Sequence, residues 1–88
     1  MKLVFTEQGW ADYLALRESD PKAGKNLDSL MAECLRHPFT GTGKPEPLRD
    51  NLKGWWSRRI TQEHRLVYRV SGSGDMQALE ITQCRFHY

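Results

Sequence analysis

Eighty-eight residues, 27% charged and 39% hydrophobic, with a formal net charge of +2, exclude a disordered chain and suit one small folded domain over residues 1–88. A chain of this length buries roughly 60–65% of the surface that its unfolded form exposes, enough to fold without metal or disulfide but with little stability in reserve. No stretch reaches membrane-spanning length, and two cysteines without a signal peptide suit a reducing compartment, so a cytoplasmic protein is expected.

Lys2 to Phe5 reads as a short first strand. Thr6, followed by Glu7 and Gln8, caps the start of a helix on which Trp10, Tyr13, Leu14 and Leu16 or Arg17 recur at helical spacing. Ser19-Asp20-Pro21 ends that helix and opens another, with proline at a favoured first position. Leu27, Leu30, Met31, Cys34 and Leu35 form its apolar stripe, and Pro38 stops it by pushing the preceding residue out of the α region. Residues 40–47, Thr-Gly-Thr-Gly-Lys-Pro-Glu-Pro, predict a loop. Beyond it the period shifts to two: strands over Gly54–Thr61 and His64–Val70 about a tight turn at Gln62-Glu63, a second turn over residues 71–75, and a last strand over Met76–Phe86. The order β-α-α-β-β-β is an α+β fold, with two N-terminal helices on one face of a small, mainly antiparallel twisted sheet and the other face open to a ligand.

Charge is distributed unevenly. Acidic residues gather early, from Glu7 to Glu33, and basic ones late, from Lys44 to Arg85, so the second half presents a basic surface suited to polyanions. Strand parity puts Leu66, Tyr68 and Val70 on the core side and Arg65 on the open side. If Arg59 faces the same way from the neighbouring strand, two guanidinium groups flank one spot, and their forked geometry matches phosphate. Two solvated strand arginines are the competing explanation. Leu79 and Ile81 read as core, yet Gln83, Arg85 and His87 share their parity, so a bulge or twist near residues 82–84 is expected to redirect the tail.

Glu46 sits between Pro45 and Pro47, which limit how its loop flexes. A carboxylate takes a proton from a hydroxyl, an imidazolium such as that of His87 gives one to a leaving oxygen, and arginine stabilises the charge between them. RNA carries the required hydroxyl beside its own phosphodiester, so base, acid and anion clamp suffice for cleavage without metal. Gly41-Thr42-Gly43-Lys44 fails as a phosphate loop, since Pro38 replaces the first glycine and Pro45 the hydroxyl residue. Cys34-x-x-His37 with Cys84-x-x-His87 resembles a zinc site, but on a strand the second pair faces opposite ways, and plain buried cysteines are the better reading. Of Trp55 and Trp56, alternation sends one to the core and leaves the other exposed or at a subunit contact.

The ordered segments Gly43-Lys44-Pro45-Glu46-Pro47-Leu48, Asn51-Leu52, Trp56-Ser57-Arg58-Arg59-Ile60-Thr61, Glu63-His64-Arg65-Leu66-Val67-Tyr68 and Cys84-Arg85-Phe86-His87-Tyr88, with Met1-Lys2-Leu3, Trp10 and Asp12-Tyr13, resemble the YoeB (Txe/YoeB) toxins of bacterial toxin–antitoxin modules, in the RelE-like superfamily. The resemblance spans nearly the whole chain. It implies a RelE-like fold and a ribosome-dependent mRNA endonuclease acting in the ribosomal A site without metal or other cofactor. It implies Glu46 as general base, His87 as general acid, Arg65 on the phosphate in the transition state and Tyr88 placing substrate. Lys44, Arg49 and Arg59 match basic positions near the scissile phosphate or ribosomal RNA. Position 49 is more often lysine, and Phe86 stands where tyrosine is common. A YefM-like antitoxin, a homodimer and, with the antitoxin, operator DNA are the further partners implied.

Overall fold

Alternation along the second half of the chain fixes which side chains meet the helices. The computed structural model describes residues 1–86, running β1 (Lys2–Phe5), α1 (Glu7–Ser19), α2 (Pro21–Arg36), β2 (Glu46–Pro47), β3 (Trp56–Arg59), β4 (Arg65–Ser71) and β5 (Ala78–Gln83). The strands form one sheet in the order β1-β5-β4-β3-β2, with β1 parallel to β5 and the other pairs antiparallel. This is the α+β arrangement expected from the sequence, with one strand more. Residues 46–47, read as loop, pair with β3 at the sheet edge.

Local chemistry explains the boundaries. Thr6 caps α1 by accepting from the Gly9 N–H at 3.0 Å, and Asp20 caps α2 by accepting from the Ala23 N–H at 3.1 Å, with Pro21 at its start. The α2 stripe packs as expected: Leu27, Leu30, Met31 and Cys34 join Leu16, Leu66, Tyr68, Leu79, Ile81 and Cys84 in one core. β3 and β5 are shorter than the alternation predicts, while β4 keeps its length and starts one residue later. Thr61 Oγ1 accepts from the N–H groups of Glu63 and His64, which closes the β3–β4 turn early. Met76 belongs to a single 3₁₀ turn, Gly74–Met76, so β5 starts at Ala78.

The stripe predicted for α1 needs correction. Trp10 and Leu14 are about half exposed, and the buried positions are Gly9, Asp12 and Leu16. The helix sits so close to β5 that a Cβ on Gly9 would lie 2.4 Å from the Ile81 carbonyl oxygen. That approach aims Asp12 at the strand, where it accepts from the Cys84 N–H at 3.3 Å. Trp10 instead stacks on Tyr13, with ring centroids 5.5 Å apart, and meets Phe5 edge-on at the β1 side.

The expected bulge is present. Tyr68 pairs with Ile81 but Val67 pairs with Gln83, so Thr82 is an extra residue on β5 and parity inverts there. Ile81 and Cys84 both reach the core, and Gln83 faces the other way.

Candidate functional site: the open face of the sheet

Antiparallel register carries side chains across strands onto a common face. Arg58 opposes Leu66 and Trp56 opposes Tyr68 on the helix side, while Ser57 opposes Val67 and Arg59 opposes Arg65 on the open side. Glu46 opposes Ser57, and Gln83 opposes Val67, so Glu46, Ser57, Val67 and Gln83 form one row across the open face. The Arg59–Arg65 pair forms the adjacent row, two residues along β3, or about 7 Å. Three of the sequence-selected residues, Glu46, Arg59 and Arg65, therefore share a face and lie in neighbouring rows. Glu46 and Arg59 are exposed; Ser57 and Val67, next along the Glu46 row, are buried and floor the patch.

The two arginines are held differently. Arg65 Nη1 donates to the carbonyls of Thr61 at 2.8 Å, His64 at 3.1 Å and Gln62 at 3.2 Å, which ties its head to the β3–β4 turn. Arg59 is fixed through its backbone, whose N–H donates to the Gly43 carbonyl at 2.7 Å. Like charges directly across a strand pair repel, and an anion between them relieves that repulsion. Lys44 is exposed two residues before Glu46 and has φ +53°, a left-handed conformation costing about 1–2 kcal/mol for a residue with a Cβ. Arg49 is exposed beyond β2, outside the paired rows, where its carbonyl accepts from the Leu52 N–H. Trp55 lies under the Arg69 guanidinium, 4.5 Å from ring centre to Cζ, while Trp56 packs against the core and Phe39.

His87 and Tyr88 lie outside the described residues. The chain is followed to Phe86, whose N–H donates to His64 Nδ1 at 2.8 Å and whose carbonyl accepts from the Arg65 N–H at 3.1 Å. The His64 ring and the Arg65 backbone thus both hold the chain at Phe86.

Sequence reasoning missed the role of Arg58. Its side chain is fully buried on the helix side, and all five guanidinium N–H groups are engaged. Nε donates to Tyr68 Oη at 3.1 Å, Nη1 to Glu33 Oε1 at 3.0 Å and the Thr42 carbonyl at 3.2 Å, and Nη2 to the carbonyls of Thr40 at 2.7 Å and His37. Burial pushes the Tyr68 phenol up to about 12, so it keeps its proton and donates to the Pro38 carbonyl at 2.6 Å. The Thr42 N–H, with help from Arg58, holds the Glu33 carboxyl below the usual carboxylate range. A signal existed: Arg58 shares parity with Trp56 and Ile60, both core-facing.

The cysteines are buried and unpaired with each other; burial raises both thiols, Cys84 to about 12 with the Asp12 charge adding to it. Among the described residues no group of three or more His, Cys, Asp or Glu side chains is placed to hold a metal, and no helix is long and apolar enough to cross a membrane.

The family described as "YoeB-like toxin of bacterial type II toxin-antitoxin system" matches residues 5–88. Toxin YoeB of Escherichia coli is 50% identical over 88 residues, all of both chains. A YoeB/ParE toxin from Agrobacterium tumefaciens superposes with a TM-score of 0.94 at 53% identity, over the full length of both chains. YoeB from Staphylococcus aureus, solved as a dimer and in a heterotetrameric YoeB-YefM toxin-antitoxin complex, superposes at 0.86 and 0.84 with 37% identity, over all of this chain and 98% of those.

Proposed function

This chain belongs to the family of YoeB-like toxins of bacterial type II toxin–antitoxin systems, and from that premise we propose that it is a ribosome-dependent mRNA endoribonuclease. The observation that carries the reading is the convergence of Glu46, Arg59 and Arg65 on the face of the sheet opposite the helices, in a chain matching the family over its length. A carboxylate beside a pair of cations is what activation of a hydroxyl next to a phosphodiester needs.

In the proposed reaction Glu46 accepts the proton of the mRNA 2′-OH in the ribosomal A site. The 2′ oxygen attacks its neighbouring phosphorus in line, a new O2′–P bond forms and the P–O5′ bond breaks. Arg65 stabilises the charge on the phosphorane oxygens, His87 protonates the leaving 5′ oxygen and Tyr88 helps place the substrate. The products are a 2′,3′-cyclic phosphate and a 5′-hydroxyl. Two proton transfers balance the reaction through protein side chains, so it needs no metal. Lys44, Arg49 and Arg59 neutralise flanking phosphates of mRNA or ribosomal RNA, a contribution that weakens with salt. The protein acts in the cytoplasm as a single domain over residues 1–88, as a homodimer. A YefM-like antitoxin neutralises it by covering the basic face, and the pair binds operator DNA.

The test is cleavage of a defined mRNA on programmed bacterial ribosomes, wild type beside His87→Gln, with EDTA-treated protein, constant ribosomal magnesium and a control lacking ribosomes. Cleavage by wild type alone, ending in a cyclic phosphate, is the expected result. No cleavage by either, with ribosome binding intact, would replace this reading by a non-catalytic binding or co-repressor subunit.

A further inference from the structure

The arginine that touches no solvent is bonded to the loop that leads to the charged residues of the open face. Residues 37–42 wrap the buried Arg58 head: the carbonyls of His37, Thr40 and Thr42 all accept from it, and Pro38 is reached through Tyr68. Glu33 closes the ring from α2, accepting from Arg58 at 3.0 Å and from the Thr42 N–H at 2.6 Å. The fit is close enough that a Cβ on Gly41, at φ +118°, would fall 1.8 Å from Glu33 Oε1. Directly beyond this ring Gly43 accepts from the Arg59 N–H, and then come Lys44, Pro45 and Glu46. β2 has only two residues, and the pairing of Glu46 with Ser57 is flanked by two further backbone bonds: Arg59 N–H to the Gly43 carbonyl on the loop side and Leu48 N–H to the Trp55 carbonyl at 2.9 Å on the other.

We propose that Arg58 is a positioning residue: acting through loop 37–43 from the helix side of the sheet, it sets where Glu46 and Lys44 stand on the open side. The proposal rests on the reading of Glu46 as the general base. Charge alone does not perform this task. Lysine keeps the cation but offers three donors from one nitrogen, where Arg58 uses five from a planar fork to gather three carbonyls, a phenol and a carboxylate. Misplacing a general base by a fraction of its reach slows the chemical step more than it weakens binding.

The experiment is single-turnover mRNA cleavage on programmed ribosomes with the full chain: wild type, Arg58→Lys, Glu46→Gln, the double variant, and Leu16→Ala as a core control distant from the loop. Each is assayed at a temperature where circular dichroism shows it folded. Arg58→Lys is expected to lower the maximal rate about tenfold or more, with the half-saturating concentration changed less than about twofold. In the Glu46→Gln background it is expected to cost much less than in wild type, because the base it positions is gone and only Lys44 remains to be misplaced. A wild-type rate in folded Arg58→Lys, additive losses in the double variant, or an equal loss in Leu16→Ala would overturn the proposal. If Arg58→Lys does not fold, Glu33→Ala takes its place, and a wild-type rate there also overturns it. If wild type does not cleave, the endonuclease reading has failed, and amide hydrogen exchange then decides the positioning role. Faster exchange at the Thr42 and Arg59 amides in Arg58→Lys, but not in Leu16→Ala, supports it; unchanged exchange overturns it.

Discussion

Arg58 and Arg59 are adjacent in the chain and chemically identical, yet they sit on opposite faces of β3 with opposite surroundings. Arg58 is fully buried beneath the helices with every donor engaged, and Arg59 is exposed opposite a second arginine. The helix side takes a cation only when carboxylate, phenol and carbonyls satisfy it, because an unpaired buried charge is costly. The open side tolerates a pair of arginines that has no carboxylate partner among the described residues, because water solvates exposed cations. The lesson is that a basic sequence does not make each of its arginines a nucleic-acid contact; one peptide unit of parity separates a scaffold arginine from a surface one.

The contrast can be broken from either side. The largest expected effect is on the open face: Glu46→Gln should lower single-turnover cleavage by about 10²–10⁴-fold while the thermal midpoint stays near that of wild type, since the residue is exposed and no core contact is lost. Thermal unfolding measured beside the rate tests this, and a large loss of stability would show that Glu46 also serves the fold. On the helix side Arg58→Ala should cost stability as well as rate, destabilising by about 3 kcal/mol in urea titration by leaving Glu33 and the loop carbonyls unpaired. A loss below about 1 kcal/mol would mean that water replaces the guanidinium without penalty.

A smaller effect is expected for Arg59→Ala. Stability should change by less than about 0.5 kcal/mol, while the slope of log affinity for programmed ribosomes against log salt falls by about one unit. An unchanged slope would remove Arg59 from the phosphate-binding surface. The smallest effect concerns acid stability. The Glu33 carboxyl is held below its ordinary value of 4.5, so its contribution is complete above that value and fades as pH falls through the lower, folded-state value. Glu33→Gln should therefore flatten the loss of stability below about pH 4.5 while leaving the shape of the curve between pH 6 and 8 unchanged. Denaturant titrations over that range check the sign.

Much of this was legible in the sequence because it is local. Thr6, Asp20 and Pro21 mark helix starts whatever packs above them, and alternation across Leu66, Tyr68 and Val70 assigned the faces of β4. Even the bulge on β5 was required by the conflict between Ile81 and Gln83. The α1 surface was misread because its packing is set by a backbone contact at Gly9, and a missing side chain leaves no hydrophobic mark. The pairing of Glu46 with Ser57 was hidden because two residues between prolines give no period to read.

The sequence by itself determined the family, the order of helices and strands, and the residue types gathered for phosphate chemistry, since each depends on spacing along the chain. Only the tertiary structure decided what satisfies the buried arginine, that Glu46 lies one row from the Arg59–Arg65 pair, and that loop 37–43 closes around Arg58. Those facts depend on register and on contacts between residues 16 to 25 positions apart, where burial and hydrogen-bond satisfaction, rather than local preference, select the arrangement.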